Sequence, residues 1–231
     1  MTDSTTNNTT DNRTAPKAFI FDLDGTLVDA LPDIQANANR ALASLGYDLR
    51  LTLDETRPHV GGGAHKLASN VLGLPMEHEE TMALYHAFAD IYEQHPADFG
   101  KPFPGVIEVL DSLRDRSIPL SCVTAKPAKA RVKVLDALGL TPYLTLALSP
   151  EDGFAKKPAP DMLWECCRAM GVDAADTVMV GDTRFDVEAG FNAGCHTVAF
   201  AEHGYQDVPP EYADRVFMLP QFTDLLKLLD D

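Results

Sequence analysis

Asp22 and Asp24 stand two positions apart at the end of an apolar run, Phe19-Ile20-Phe21, and are followed at once by Gly25 and Thr26. Further polar residues fall at the ends of apolar segments or in the loops beside them: Thr124, the pair Lys156-Lys157, and Asp182 with Asp186. Together these residue types suit phosphoryl transfer from a phosphate monoester. A carboxylate can attack phosphorus and form an aspartyl-phosphate, dividing one difficult displacement into two easier ones. Asp22 is the expected nucleophile. Attack of one anion on another calls for a cation, and Mg²⁺ takes oxygen ligands, commonly one or two carboxylates completed by substrate phosphate and water. Asp22 and Asp182 are the expected carboxylate ligands. Catalysis of this kind is mainly positioning and charge neutralisation, for which a lysine at the phosphate and a hydroxyl at a strand end are suitable donors. Asp24, acting from a bend, is expected to protonate the leaving alcohol and later to activate water.

An open doubly wound sheet can position such residues, because its ligands lie in the crevice beyond the carboxyl ends of the strands. The sequence predicts a strand over residues 17–21 and a turn over 22–29. A helix then starts at Pro32, carries Ile34, Ala38, Ala41, Leu42 and Leu45 at helical spacing, and stops at Gly46. From there to about Gly100 no strand is expected, and helical stretches recur around 54–57, 65–72 and 77–93. Lys101-Pro102-Phe103-Pro104-Gly105 marks a hinge. Beyond it, short apolar strands (118–123, 143–148, 177–180, 196–200) alternate with helices (106–113, 128–138, 161–170, 185–192). This alternation predicts an α/β fold. The expected division is a Rossmann-like, mostly parallel sheet core of residues 16–31 and 101–231, with an inserted helical cap domain over residues 32–100. Residues 1–15, whose first part is rich in Thr, Asn and Asp, are expected to form a disordered leader.

The 231 residues carry a formal charge of −16 at pH 7, which argues against nucleic acid or an anionic membrane as a partner. A local cationic site or a bound metal can still receive a phosphate. No apolar stretch approaches the length that spans a bilayer, and the N-terminal segment lacks the apolar core of a secretory signal, so a cytoplasmic protein is expected. Cys122, Cys166, Cys167 and Cys195 lack C-x-x-C spacing and read as reduced thiols. Oligomeric state leaves no signal in the sequence.

The same residues carry a resemblance. Phe21-Asp22-Leu23-Asp24-Gly25-Thr26-Leu27-Val28-Asp29 is similar to the first motif of the haloacid-dehalogenase-like hydrolase superfamily. Thr124 within Cys122-Val123-Thr124-Ala125-Lys126-Pro127 resembles its second motif, and Lys157 within Lys156-Lys157-Pro158-Ala159-Pro160-Asp161 its third. Val180-Gly181-Asp182-Thr183-Arg184-Phe185-Asp186 resembles the fourth. The likeness runs from about Lys17 to His203 and includes Pro102-Phe103-Pro104-Gly105-Val106, similar to the return from a helical cap. It implies Asp22 as nucleophile and Asp24 as general acid and base. It implies metal ligation by Asp22, Asp182 and the main-chain carbonyl of Asp24, with Asp186 supporting them. Thr124 and Lys157 would hold phosphoryl oxygens, and Lys157 would also steady the nucleophile. Within the superfamily the chain most resembles phosphoglycolate phosphatases with a cap between the first two motifs. Val60-Gly61-Gly62-Gly63-Ala64 resembles their cap loop, where main-chain amides can approach a small anionic substrate. That group usually has Asn after the second-motif threonine, where this chain has Ala125. The implied function is Mg²⁺-dependent hydrolysis of a small phosphorylated metabolite, with 2-phosphoglycolate the leading candidate.

Each residue also has a plainer reading. An isolated Asp favours turns, Thr favours helix caps, and a lone lysine is usually solvated. Asp182 and Asp186, one helical turn apart, could serve a helix N-terminus. All four groups in order outweigh those readings. Gly61, Gly62 and Gly63 follow no strand, so they are no dinucleotide fingerprint, and a flexible loop between helices is an equal reading. Lys66 could form a Schiff base in a phosphonate-cleaving relative, although a surface lysine is favoured. His59 and His65 flank the glycine loop and could meet substrate, while Trp164 is expected in the core. Other readings stay open: a different small phosphate ester or pyrophosphate as substrate, a sugar phosphomutase, or a non-catalytic binding module.

Overall fold

In the computed structural model, which describes residues 15–229, β1 (Ala18–Phe21) is buried along its whole length. Its four residues are apolar, as a strand covered on both faces requires. Phe19 and Phe21 face one side with Leu110 and Phe222, while Ile20 faces the other with Met162, Leu163 and Met179. The expected leader lies outside the described residues except for Ala15.

Around β1 stand β4 (Leu120–Val123), β5 (Leu146–Leu148), β6 (Thr177–Gly181), β7 (Thr197–Ala201) and β8 (Phe217–Leu219). The sheet order is β5-β4-β1-β6-β7-β8, and every pair is parallel. The chain therefore builds outward from β1 through β4 to β5, then returns to β6 on the other side. A crevice opens at the carboxyl ends where that order reverses. Helices α5 (Val106–Asp115), α6 (Ala128–Ala137), α7 (Asp161–Met170) and α8 (Arg184–Ala193) supply the crossovers. The α/β fold with a parallel sheet agrees with the sequence reading.

The segment between β2 (Val28–Asp29) and β3 (Lys101–Pro102) is helical among its regular elements. These two strands pair antiparallel and form a ribbon at its entrance. Inside it lie α1 (Leu31–Ser44), α2 (Leu53–Thr56), α3 (Ala64–Leu72) and α4 (Glu79–Gln94). Helix α1 buries Ile34, Ala38, Ala41 and Leu42, and α4 buries Leu84, Phe88 and Tyr92. The two connections are fastened separately. The buried Asp33 carboxylate accepts from Phe99 N at 3.0 Å and Gly100 N at 2.7 Å. Tyr205 Oη accepts from Ala30 N at 2.7 Å and Leu31 N at 2.9 Å.

The expected turn over 22–29 ends in a strand, β2, too short for any pattern to disclose. The strand expected over 143–148 is confined to Leu146–Leu148, because Thr141–Tyr143 forms a 3₁₀ turn around Pro142. Beyond the sequence reading are β8 and a C-terminal 3₁₀ helix, Phe222–Leu229, whose Phe222 and Leu225 are buried. Trp164 corrects an expectation: it is 52% exposed. Helix α7 turns Met162, Leu163, Cys166 and Cys167 inward, which leaves Trp164 on the outer face with Nε1 donating to Ala193 O at 3.2 Å.

Candidate active site

Strand β1 delivers Asp22, whose amide still bonds to Val180 O of β6 at 2.9 Å. The chain then bends. Gly25 adopts φ +89° and its amide donates to Val28 O at 2.9 Å, a conformation that costs glycine least. The bend sets Asp24 at the crevice and carries Thr26 back toward β6, where Thr26 Oγ1 donates to Asp182 Oδ1 at 2.9 Å. The other oxygen of Asp182 accepts from Tyr205 N at 2.9 Å. Asp186 sits in the first turn of α8 and closes a capping box with Thr183, its Oδ2 accepting from Thr183 N at 3.0 Å and Thr183 Oγ1 at 2.7 Å.

Lys157 ties these parts together from the loop before α7. Its Nζ lies 2.6 Å from Asp186 Oδ1, 3.0 Å from Asp22 Oδ1 and 2.9 Å from Val123 O. All three ammonium protons thus have protein acceptors, so contact with a phosphoryl oxygen requires one of these bonds to be exchanged. Thr124 ends β4 and is buried, with Oγ1 accepting from Lys126 N at 3.2 Å.

Asp22, Asp182 and Asp186 each offer a carboxylate oxygen within 4.8 Å of the others, and all three are buried. Hard oxygen donors in that number fit a divalent cation of the Mg²⁺ type. The electrostatics agree, since three carboxylates face a single lysine. Burial pushes the Asp22 carboxyl up to about 7, with Asp186 adding to the shift and Lys157 opposing it. Asp182 is raised well above the carboxylate range by burial first, then by Asp22 and Asp186. Burial pulls Lys157 downward, but Asp186 and Asp22 outweigh it and hold the ammonium above its ordinary value. A bound cation would supply the missing positive charge.

Asp22, Asp24 and Thr124 line one small cleft of about 50 Å³ between the sheet and the helical segment. Gly61 and Gly63 line it too, as does His59. Gly62 instead borders a neighbouring cleft with Lys66, Met76 and Lys156. His65 is engaged within the helical segment, hydrogen-bonded to Met76 O at 2.8 Å and packed at a tilt against Tyr85 with ring centres 5.1 Å apart. Lys66 is exposed, and Ala125 lies between the two clefts, lining both.

Sequence reasoning gave no role to Thr26 as a holder of Asp182, nor to Tyr205, Lys126 or Tyr92. Thr26 and Lys126 stand inside motifs visible in the sequence, directly after Gly25 and two residues after Thr124. Tyr92 at helical spacing reads as core, and Tyr205 in a loop after a strand carries no signal at all.

Residues 19–200 match the family model of the haloacid dehalogenase-like hydrolases. A phosphoglycolate phosphatase from Chromobacterium violaceum is 34% identical over 216 residues, covering 91% of this chain and 96% of the relative. An N-acetylmuramic acid 6-phosphate phosphatase from Pseudomonas aeruginosa is 30% identical over 220 residues, covering 93% and 95%. Among solved structures, a predicted phosphoglycolate phosphatase from Haemophilus somnus 129pt superposes with a TM-score of 0.82 at 26% identity, covering 92% of this chain and 97% of that one.

Proposed function

The chain belongs to the haloacid dehalogenase-like hydrolase family and is a phosphoric monoester hydrolase, and on that premise we propose that it hydrolyses 2-phosphoglycolate through an aspartyl-phosphate on Asp22. The carrying observation is a pair of carboxylates on one cleft, each held through one oxygen by its own buried lysine, Asp22 by Lys157 and Asp24 by Lys126. Asp22 Oδ1 is fixed by Leu23 N at 2.7 Å and Lys157 Nζ at 3.0 Å, as suits an attacking group held for in-line approach. Asp24 Oδ1 is buried without a hydrogen-bond partner among the described residues, as suits a group that exchanges a proton with the substrate.

In this reading Asp22 attacks phosphorus while Asp24 gives its proton to the departing alkoxide. Asp24 then takes a proton from the water that splits the aspartyl-phosphate. Thr124 and Lys157 steady the phosphoryl oxygens, and Asp186 keeps Lys157 aimed at Asp22. Asp22, Asp182 and the main-chain carbonyl of Asp24 would hold a divalent ion such as Mg²⁺, which would supply charge neutralisation between nucleophile and phosphoryl group. Gly61, Gly62 and Gly63 belong to the loop that meets the substrate. Residues 32–100 act as a cap over the core of residues 16–31 and 101–231, closing to exclude water.

2-Phosphoglycolate is favoured by the likeness to phosphoglycolate phosphatases along nearly the whole chain. No helix among the described residues is long and apolar enough to cross a membrane, and a cytoplasmic enzyme acting on a free metabolite is part of the reading. The test is a screen of 2-phosphoglycolate, amino-sugar phosphates, pyrophosphate and hexose phosphates, with Mg²⁺ and with chelator. 2-Phosphoglycolate is expected to exceed the next ester in kcat/KM by about tenfold or more, a discrimination of at least about 1.4 kcal/mol, and chelation to abolish turnover. Isomer formation from a hexose 1-phosphate with little free phosphate would replace hydrolysis by mutase chemistry.

A further inference from the structure

Lys126 lies two residues beyond Thr124, and its side chain is only 4% exposed. A buried ammonium is costly unless specific partners receive it. Nζ has two. Asp24 Oδ2 stands 2.9 Å away, and the centre of the Tyr92 ring 4.0 Å away, so that the cation rests on the ring. Asp24 comes from the bend after β1, whereas Tyr92 comes from α4 of the inserted segment. Tyr92 is itself buried and packed against Phe88 with ring centres 5.4 Å apart. Lys126 therefore joins the core to the insertion across the cleft that Asp22, Asp24 and Tyr92 all line. Asp24 Oδ1, which is buried, has no hydrogen-bond partner among the described residues.

We propose that Lys126 is a positioning residue that makes the aim of Asp24 depend on the seating of α4: Nζ anchors Oδ2, Oδ1 is left for the leaving oxygen, and the Tyr92 ring holds Nζ in place. This rests on the reading of Asp24 as the group whose proton passes to the leaving alkoxide as the phosphorus–oxygen bond breaks. The two buried lysines then divide the reaction between them. Lys157 serves the attack through Asp22, and Lys126 serves the departure through Asp24. If α4 lifts away, Nζ loses the ring face and Asp24 loses its fixed partner. The acid is thus aimed only beneath a seated cap, where water is excluded and the alkoxide most needs a proton.

The test uses the leaving group. kcat/KM covers every step through its departure, so it isolates the acid from the later activation of water. Full-length wild type and variants would be assayed on 2-phosphoglycolate, on ethyl phosphate, which has an alkoxide leaving group and no carboxylate, and on p-nitrophenyl phosphate, whose phenolate leaves without a proton. Lys126→Met is expected to lower kcat/KM about 100-fold on both alkyl esters and less than about threefold on the aryl ester, within the range of general-acid contributions. Tyr92→Leu should shift the alkyl-to-aryl ratio in the same direction, and Tyr92→Phe, which keeps the ring face, should restore it. Equal losses on alkyl and aryl esters would indicate a structural role and overturn the proposal. A loss confined to 2-phosphoglycolate would make Lys126 a carboxylate reader and also overturn it. Wild type that hydrolyses ethyl phosphate but not 2-phosphoglycolate would sink the substrate reading alone. Wild type inactive on all three would remove the reading of Asp24 and this proposal with it.

Discussion

A single methyl group tests the packing around Asp182. A Cβ on Gly204 would lie 2.1 Å from the Asp182 Cβ, and one on Gly25 would lie 2.3 Å from Asp182 Oδ2. Gly204→Ala is therefore expected to destabilise the protein by about 1–3 kcal/mol, the usual range for overpacking, and to weaken Mg²⁺ binding by displacing the carboxylate. Urea unfolding and calorimetric titration with Mg²⁺ measure the two effects, and unchanged Mg²⁺ affinity would count against Asp182 as a ligand. Asp22→Asn should behave in the opposite way in stability. Burial raises the pKa of this carboxyl, so its charged form is a cost to the metal-free fold that the amide removes. The variant is expected to melt at or above wild type while turnover falls by about 10³-fold or more, a stability–activity trade-off at a strained site. A lower Tm accompanying the lost turnover would assign the effect to folding. The residues that the sequence pointed to are those that end an apolar run: Asp22, Thr124 and Asp182 fall at strand ends, and the structure gathers Lys157 and Asp186 beside them. The residues it passed over act on neighbours that only the fold supplies. Tyr205 is separated from Asp182 by 23 positions, and nothing in its own surroundings announces the hydrogen bond that its main-chain N–H donates to that carboxylate.

Helices and sheet strands could be placed from sequence because their apolar periods differ and because glycines such as Gly73, Gly171 and Gly194 close helices in left-handed conformation. The ribbon of β2 and β3 could not, since two-residue strands contain no period. The end of the chain was equally opaque. Pro209 and Pro210 interrupt it, and β8 has three residues, yet it completes the sheet and its Leu219 is fully buried. Trp164 was misplaced because helical spacing says which residues share a face but not how wide the buried face is. Where the ribbon meets α1, Tyr205 gives a test at the level of the element. Tyr205→Phe leaves Leu31 N without its acceptor and Ala30 N with Val28 O alone, at a cost of about 1–3 kcal/mol for a buried group left unpaired. The loss should be local. Hydrogen exchange is expected to quicken at Ala30 and Leu31 and along the first turn of α1, with β1 and β6 keeping their protection. Unchanged exchange at Ala30 and Leu31 would show that the hydroxyl does not fasten this connection.

For the molecule as a whole, the net charge is −16, and a buried trio of carboxylates would, once ionised, concentrate negative charge where a cation is expected to sit. The consequence is a link between pH, metal and stability. In the metal-free protein Asp22 is raised to about 7 and Asp182 well above the carboxylate range, both chiefly by burial. In the unfolded chain an Asp titrates near about 4. The folded state therefore binds these protons more tightly than the unfolded state. Their stabilising contribution is fully present below about pH 4 and is lost as pH rises through about 7 and beyond. Other carboxylates pull the opposite way at low pH: Asp152, paired with Arg131 and capped by Ser149, is held below its ordinary value, so its contribution is lost on acidification. In the proposed reading Mg²⁺ would bind the charged form and displace those protons, so the stabilisation it brings should grow across the window from about pH 5 to about pH 8. At a concentration near 100 times its Kd, a ligand selective for the folded state contributes about 2.7 kcal/mol, or roughly 5–10 °C in Tm for a chain of this size. Thermal melts at a series of pH values, with saturating Mg²⁺ and with chelator, should show the gain approaching that size near pH 8 and shrinking toward pH 5. Proton release on Mg²⁺ binding, read by calorimetry in buffers of different ionisation enthalpy, should accompany it. A gain in Tm that is the same at pH 5 and pH 8, with no proton released, would mean that the buried carboxylates are already ionised without metal and that the cation is not what their charge awaits.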